Sequence, residues 1–349
     1  MKILVLGDLG SYHTHLFSKT LASLGHDVLV ASLEEPIENA DGYSVIRIKS
    51  PFRRKKFYRY LSVVPKFISL ERSYKPDLVF AHFISNYGLI GKFMGSRKIL
   101  VIWGSDVLVV PGRSIFHKKG TKGILKEYKV ALVDAGFVAG ILREEFRYEG
   151  RIFTFPFGPS PDFLKINVAK KKKGLLFVTH RRLDPDMDPF TIIRAFEMIR
   201  KKNVKLYVLS DGSLKNAIVN YVNKRKLDGF IHLTGRVSRK ELIRILLNSS
   251  FFISAAITDS TSVSLLEAMA TGCLPIVSDI PGNREWVNSD NGLIFETGNY
   301  EDLAQKINAA LEISEAAYDS IIKINKTIVE NRANFYRNLQ ELIRKANEM

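Results

Sequence analysis

Asp259 and Glu267 stand eight positions apart, and a third acid, Glu285, follows after a second apolar run. The stretch Phe251 to Val287 reads FFISAAITDSTSVSLLEAMATGCLPIVSDIPGNREWV. Carboxylates accept hydrogen bonds from hydroxyls and repel phosphate. The backbone behaves in the opposite way at Ser262, Val263 and Ser264. These residues open a predicted helix, where the N–H groups lack intrahelical partners and the dipole is positive. Phosphate binds such a place readily. A neighbourhood that holds an anion beside hydroxyls suits a phosphorylated carbohydrate, with ribose or sugar on the acids. The plainer reading is that Asp259 or Ser260 caps the helix. Glu267 fits a solvated position poorly, because Leu265, Leu266, Ala268, Met269 and Ala270 crowd around it and a carboxylate there needs a partner.

The elements that must position these groups are legible. The apolar run 251–257 predicts a strand, 258–262 a polar loop, and 263–271 a small-residue helix closed by Gly272. The run 274–277 predicts the next strand, which leads to the turn Pro281-Gly282. Strand, loop, helix, strand is the unit of a parallel α/β sheet, whose ligands lie at the carboxyl ends of strands. The same rhythm opens the chain: a strand from Met1 to Leu6, the loop Asp8-Leu9-Gly10-Ser11, a helix over 12–24 and a strand over 28–31. No G-x-G-x-x-G is present there. Further strands are expected at 44–48, 99–103, 135–139, 175–179, 204–209 and 230–233, a loop and strand over 75–82 ending at His82, and helices at 85–95, 143–148, 190–200 and 240–247. From Glu301 the chain reads as helical to its end. His82 and Asp106 emerge at carboxyl ends in the first half, His82 as an acceptor-side or a packed residue, Asp106 as a hydrogen-bond acceptor, a local base or a helix cap. Cys273 lies in an apolar strand, where packing is its expected job.

With these residues in view, STSVSLLEAMATGCLPIVSD followed by PGNREWV resembles the two-acid signature of the GT-B retaining glycosyltransferases of family 4, in which two Glu are separated by seven residues. Asp259 takes the first position and is one methylene shorter. The resemblance implies an α/β fold of two Rossmann-like parallel-sheet domains facing across a deep cleft. The expected division is 1–168 for an acceptor- and membrane-facing domain, 169–173 for a basic linker, 174–325 for a nucleotide-sugar domain, and 326–349 for helices returning to the first domain. His180-Arg181-Arg182-Leu183 resembles the family's GRL segment, whose Arg and a Lys six positions later clamp a diphosphate. Arg182 matches the Arg, Asp188 stands where the Lys would be, and Arg181 is the available substitute. By the same resemblance Gly10 and Ser11 lie near donor phosphates, and Arg236 and Val237 near the base. Asp259 holds donor-sugar hydroxyls, Glu267 holds the ribose, and Glu285 lies near base or sugar. The family commonly places a His after the strand that here ends in Trp103, and this chain has none there.

Composition narrows the partners. The 349 residues are 46% hydrophobic, enough for two domains with cores. A single cysteine excludes an internal disulfide and suits a reducing compartment. No apolar run is long enough to span a bilayer, and no signal peptide is expected. Of the net charge of +16, residues 1–173 hold 29 Lys+Arg against 15 Asp+Glu, and residues 174–349 hold 23 against 21. The excess gathers around Arg53, Arg54, Lys55, Lys56, Phe57 and Tyr58, where cations alternate with aromatics, and around Lys118 and Lys119. This suits an anionic membrane surface or acceptor, or else a solvated basic face. Nucleic acid is not expected, since no motif of that repertoire occurs.

The expected function is transfer of a hexose-type sugar, with retention, from a UDP- or GDP-linked donor to a lipid-linked or polysaccharide acceptor. The site is expected on the cytoplasmic side, peripheral to the inner face of the membrane. Asp106, Arg182 and Asp259 are the expected catalytic residues. No metal or cofactor is expected, since the histidines are scattered and no D-x-D occurs. Two alternatives are a sugar-nucleotide epimerase of the same fold and a catalytically silent membrane or nucleic-acid binding module.

Overall fold

A computed structural model describes residues 1–36, 40–52, 56–109, 112, 114–168, 174–201 and 203–348. The expected linker 169–173 and the cations Arg53, Arg54 and Lys55 lie outside the described residues, as does the side chain of Lys56. The chain forms two units, Met1–Pro156 with Tyr336–Met349, and Phe157–Phe335. The observed division thus follows Pro156, ahead of the expected boundary at 168. Phe163 explains this, because it is fully buried in the second unit's core with Val178, Leu265 and Leu266.

The first unit is a seven-stranded, wholly parallel sheet. Its strands are β1 (Lys2–Leu6), β2 (Asp27–Ser32), β3 (Ser44–Arg47), β4 (Leu78–His82), β5 (Lys98–Ile102), β6 (Val130–Val133) and β7 (Arg151–Thr154), in the order β3-β2-β1-β4-β5-β6-β7. β1 and β4 are almost wholly apolar because helices cover both faces. Three expectations fail here, one of them the helix over 143–148, of which only Arg143 and Glu144 are helical. Residues 135–139 are not a strand: Gly136–Glu144 is a helix, and β6 lies just before it. Val138 and Leu142 face the core four residues apart, the spacing of one helical face, whereas all of Val130–Val133 is buried as a central strand requires. The segment expected as one helix over 85–95 is a π-helical turn, Phe83–Gly88, running into the short helix Leu89–Gly91. The last helix, Phe335–Asn347, belongs almost entirely to this unit: Asn338 donates to the Pro156 carbonyl at 3.0 Å, and Lys345 lies over the Phe155 ring.

The second unit repeats the plan with six parallel strands, β8 (Leu176–Thr179), β9 (Lys205–Val208), β10 (Ile231–Leu233), β11 (Phe251–Ser254), β12 (Leu274–Ser278) and β13 (Leu293–Phe295). The order is β10-β9-β8-β11-β12-β13, so the winding reverses between β8 and β11. At such a switch point neighbouring loops diverge and leave a crevice beyond the carboxyl ends. The 300–348 region is three helices, Tyr300–Glu312, Glu315–Arg332 and Phe335–Asn347.

Candidate active site

The loops leaving β8 and β11, the two strands at the switch point, carry the acids and the basic segment singled out from sequence. The polar loop after β11 ends at Ser262, which caps the helix Val263–Ala270 by accepting a hydrogen bond from Leu265 N at 3.3 Å. The amides of Val263 and Ser264 form the first turn behind it. Gly272, at φ +76°, follows the helix and turns the chain into β12. Gly282 is required on the facing side, because a Cβ there would overlap the carbonyl oxygens of Asp259 and Ser260.

Two consecutive residues of the β8 loop grip this helix. Arg181 donates to the Ser262 hydroxyl at 2.8 Å, to Asp259 Oδ2 at 2.5 Å and to the Met187 sulfur at 2.7 Å. Its buried Nε has no partner among the described residues. His180 lies five positions further along the helix, with Nε2 3.0 Å from Glu267 Oε2. An ionised carboxylate only accepts, so Nε2 carries the proton. Nδ1 is then the buried ring atom without a described partner. The pair is nearly closed to solvent, with side-chain exposures of 7% and 11%. Glu267 therefore does have the partner that its apolar surroundings demand. His180 was not singled out as a site residue. The usable signal was its position directly after an apolar run that ends at the sheet's carboxyl edge.

The structure places the two neighbouring arginines in different surroundings. Arg182, matched to the family's diphosphate Arg, points away: it pairs with Asp184 and Asp186, and its side chain is 56% exposed. Asp184 is itself committed, accepting from the N–H and the hydroxyl of Ser213, both at 2.8 Å. The Ser213 N–H bond is the leading cause of its lowered pKa. Asp188 has a local structural job: at φ +41° it caps the helix Pro189–Ile199, accepting from Thr191 N and, at 2.6 Å, from the Thr191 hydroxyl.

The remaining donor-side residues are spread along the same carboxyl edges. Arg236 and Val237 follow β10, with Arg236 N donating to Asp211 Oδ2 at 3.4 Å. Glu285 follows β12, half-buried, and its carbonyl accepts from Arg332 at 2.9 Å. In the first unit, Gly10 N donates to Asp8 Oδ1 at 2.7 Å, and Ser11 precedes the helix Tyr12–Ser23.

Two acceptor-side candidates are buried. His82 is fully buried at the end of β4, accepts from Trp103 Nε1 at 3.3 Å and meets Phe17 edge-on. Burial, helped by the nearby His13, pushes its pKa down to about 3. Asp106 is also buried and accepts from Trp103 N at 3.1 Å, which stitches the turn after β5. The central position of both strands explains this: their ends are covered, and polar groups there must bond inward. Trp103, which stands where the family pattern has a His, stacks on His13 at 4.6 Å. On the surface, Phe57 and Tyr58 are more than half exposed, Lys119 is exposed, and Lys118 pairs with Glu145 at 3.0 Å. Among the described residues no helix is long and apolar enough to cross a membrane, and no group of three or more His, Cys, Asp or Glu could hold a metal ion.

Two Rossmann-like parallel sheets, the second with its polar cluster at the switch point, make this a protein of the GT-B glycosyltransferase architecture. Residues 162–327 match the family described as Glycosyl transferases group 1, and residues 2–134 match Glycosyl transferase 4-like. The chain belongs to these family-4-like glycosyltransferases. It is 29% identical to the N,N'-diacetylbacillosaminyl-diphospho-undecaprenol alpha-1,3-N-acetylgalactosaminyltransferase of Campylobacter jejuni over 166 residues, 43% of this chain and 42% of that protein. A glycosyltransferase from Rickettsia africae superposes with a TM-score of 0.81 at 20% identity, covering 99% and 98% of the two chains. HepE of Anabaena in complex with UDP-glucose gives 0.79 at 15% identity and covers both chains fully. At these identities the two structures speak for the fold. The matches to curated relatives span less than half of those proteins, for example 26%, 42% and 41%.

Proposed function

We propose that the chain transfers a sugar from a nucleoside diphosphate donor, UDP- or GDP-linked, to a lipid-linked or saccharide acceptor, and that it retains the anomeric configuration. The observation that carries this reading is the gathering of Arg181, Asp259 and Ser262 at one helix start, with Glu267 held by His180 on the same helix. A diphosphate accepts from the first-turn amides and from Arg181. Ribose hydroxyls donate to Glu267, and donor-sugar hydroxyls to Asp259. In the reaction the acceptor hydroxyl attacks the anomeric carbon on the face from which the diphosphate departs. The bond from that carbon to the diphosphate oxygen breaks as the new glycosidic bond forms, and the departing oxygen takes the hydroxyl proton. The growing charge on the diphosphate is met by Arg181 and the helix amides, groups already fixed in place, which is the efficient form of electrostatic stabilisation. The reaction is accordingly expected to proceed without a metal ion, on a membrane's cytoplasmic face.

The C. jejuni relative, whose name specifies a diphospho-undecaprenol acceptor, supports a lipid-linked acceptor, and the UDP-glucose complex of HepE supports a uridine donor. The test is a thermal-shift panel of UDP, GDP, ADP and their sugars in the presence of EDTA. A ligand present at a hundred times its Kd stabilises the folded state by about 2.7 kcal/mol. Stabilisation by one base series, followed by slow donor hydrolysis, is expected. A chain that binds none of the series is no glycosyltransferase of this type.

A further inference from the structure

The first unit carries a second concavity that the donor reading leaves unused. It lies beyond the carboxyl ends of β2 and β3, the edge on which parallel sheets place ligands, and has a volume of about 440 Å3. Leu33, Arg47, Lys49, Ser50, Phe52 and Arg59 line it. Small-molecule sites run from roughly 300 to 1,000 Å3, so the space is ample for a head group. Its chemistry is one-sided, since three of the six lining residues are cations and none is an acid. Lys66 adds a fourth cation close by, donating to the Lys49 carbonyl at 3.1 Å.

Glu35 and Glu34 partner two of these cations, pairing with Arg47 and with Arg59, the latter at 2.7 Å. The Arg47–Glu35 pair is well exposed, with side-chain exposures of 42% and 64%, and such pairs contribute little. A phosphate group that offers several acceptor oxygens to planar guanidinium forks competes well against them. Lys49 has no carboxylate partner among the described residues. One wall of the concavity continues into exposed aromatics: the Phe52 ring lies 6.1 Å from Tyr58, and Tyr58 lies 5.8 Å from Phe57. Phe52, Phe57 and Tyr58 are all about half exposed, an unusual concentration beside a charged hollow.

We propose that this concavity binds the phosphate or diphosphate head group of an amphiphilic acceptor, held by Arg47, Lys49 and Arg59, with its apolar chain along Phe52, Tyr58 and Phe57. The proposal rests on the lipid-linked-acceptor reading for the identity of the ligand, while the residues that carry the donor reading, Arg181, Asp259, Ser262 and Glu267, belong to the other unit. Farnesyl diphosphate and inorganic diphosphate are soluble probes, and their binding to the full chain is measured by calorimetry with UDP as the control. Farnesyl diphosphate is expected to bind, and the double variant Arg47→Ala with Lys49→Ala to weaken it at least tenfold while UDP binding stays the same. Glu35→Gln, which releases Arg47, is expected to strengthen it. Farnesyl diphosphate binding tenfold tighter than inorganic diphosphate assigns the phosphate to an apolar carrier. Equal affinities for the two, both lost in the double variant, assign it to a free phosphate. Farnesyl diphosphate binding that the double variant leaves unchanged, or that Glu35→Gln weakens, overturns the site, as does a failure of both phosphates to bind. A chain that binds farnesyl diphosphate but no nucleotide would overturn the transferase reading and leave this site standing.

Discussion

Replacing Arg181 and Arg182 one at a time separates two cations that are neighbours in sequence but differ in environment. Arg181→Ala removes the hydrogen bonds to Ser262, Met187 and Asp259 and with them the guanidinium at the start of the helix Val263–Ala270. Loss of one preorganised charge stabiliser costs about 2.7–4 kcal/mol, or about a hundred- to a thousandfold in turnover. Asp259 would lose its ion-pair partner but keep the Ser260 N–H bond, and its side chain is one-fifth exposed. The penalty for an unpaired buried charge is therefore only partly felt, and about 1–3 kcal/mol of folding stability is expected to go. Arg182→Ala deletes two exposed ion pairs worth about 0–1 kcal/mol together and should leave turnover within a few-fold. Arg181→Lys keeps the charge without the planar fork and should fall between the two. Initial rates of donor hydrolysis or transfer, with thermal unfolding of each variant as the control, give the comparison. A large loss of turnover in Arg182→Ala beside near-normal Arg181→Ala would refute the reasoning.

The His180–Glu267 pair predicts a selective loss. Glu267→Ala should lower affinity for UDP by about 1.5–3 kcal/mol, the worth of a hydrogen bond to a charged group, and spare the 2′,3′-dideoxy analogue. His180→Phe should do the same by releasing Glu267, and His180→Gln, which retains a donor, should not. Equal losses for both nucleotides would remove the ribose assignment. His82 predicts an acid-stability slope. Its folded pKa of about 3 lies below the ordinary value of about 6.5, so between those values the unfolded chain binds the extra proton. Stability is level above about pH 6.5 and falls as the pH drops towards 3, by about 4–5 kcal/mol from this group. His82→Gln keeps an acceptor for Trp103 and does not titrate, so urea unfolding at pH 7, 5 and 4 should show a shallower slope. An unchanged slope would mean that His82 is not buried as a neutral ring.

The amino-acid order alone settled what depends on short-range pattern. Apolar runs bounded by polar turns marked ten of the thirteen strands, because a strand covered on both faces must be apolar throughout. Of the three it missed, Arg151–Thr154 and Leu293–Phe295 are short, and Val130–Val133 sits beside a helix whose residues are equally apolar, where run length cannot tell the two apart. The spacing of Asp259 and Glu267 and the capping role of Ser262 were legible for the same local reason. Direction was not. Arg181 and Arg182 are chemically identical, and only the path of the loop after β8 turns one towards the helix and the other to solvent. The partner of Glu267 lies 87 positions away, and the burial of His82 and Asp106 depends on which strands flank β4 and β5. Those relations arise where the winding of a sheet brings distant segments side by side, a condition that no local pattern of residues encodes.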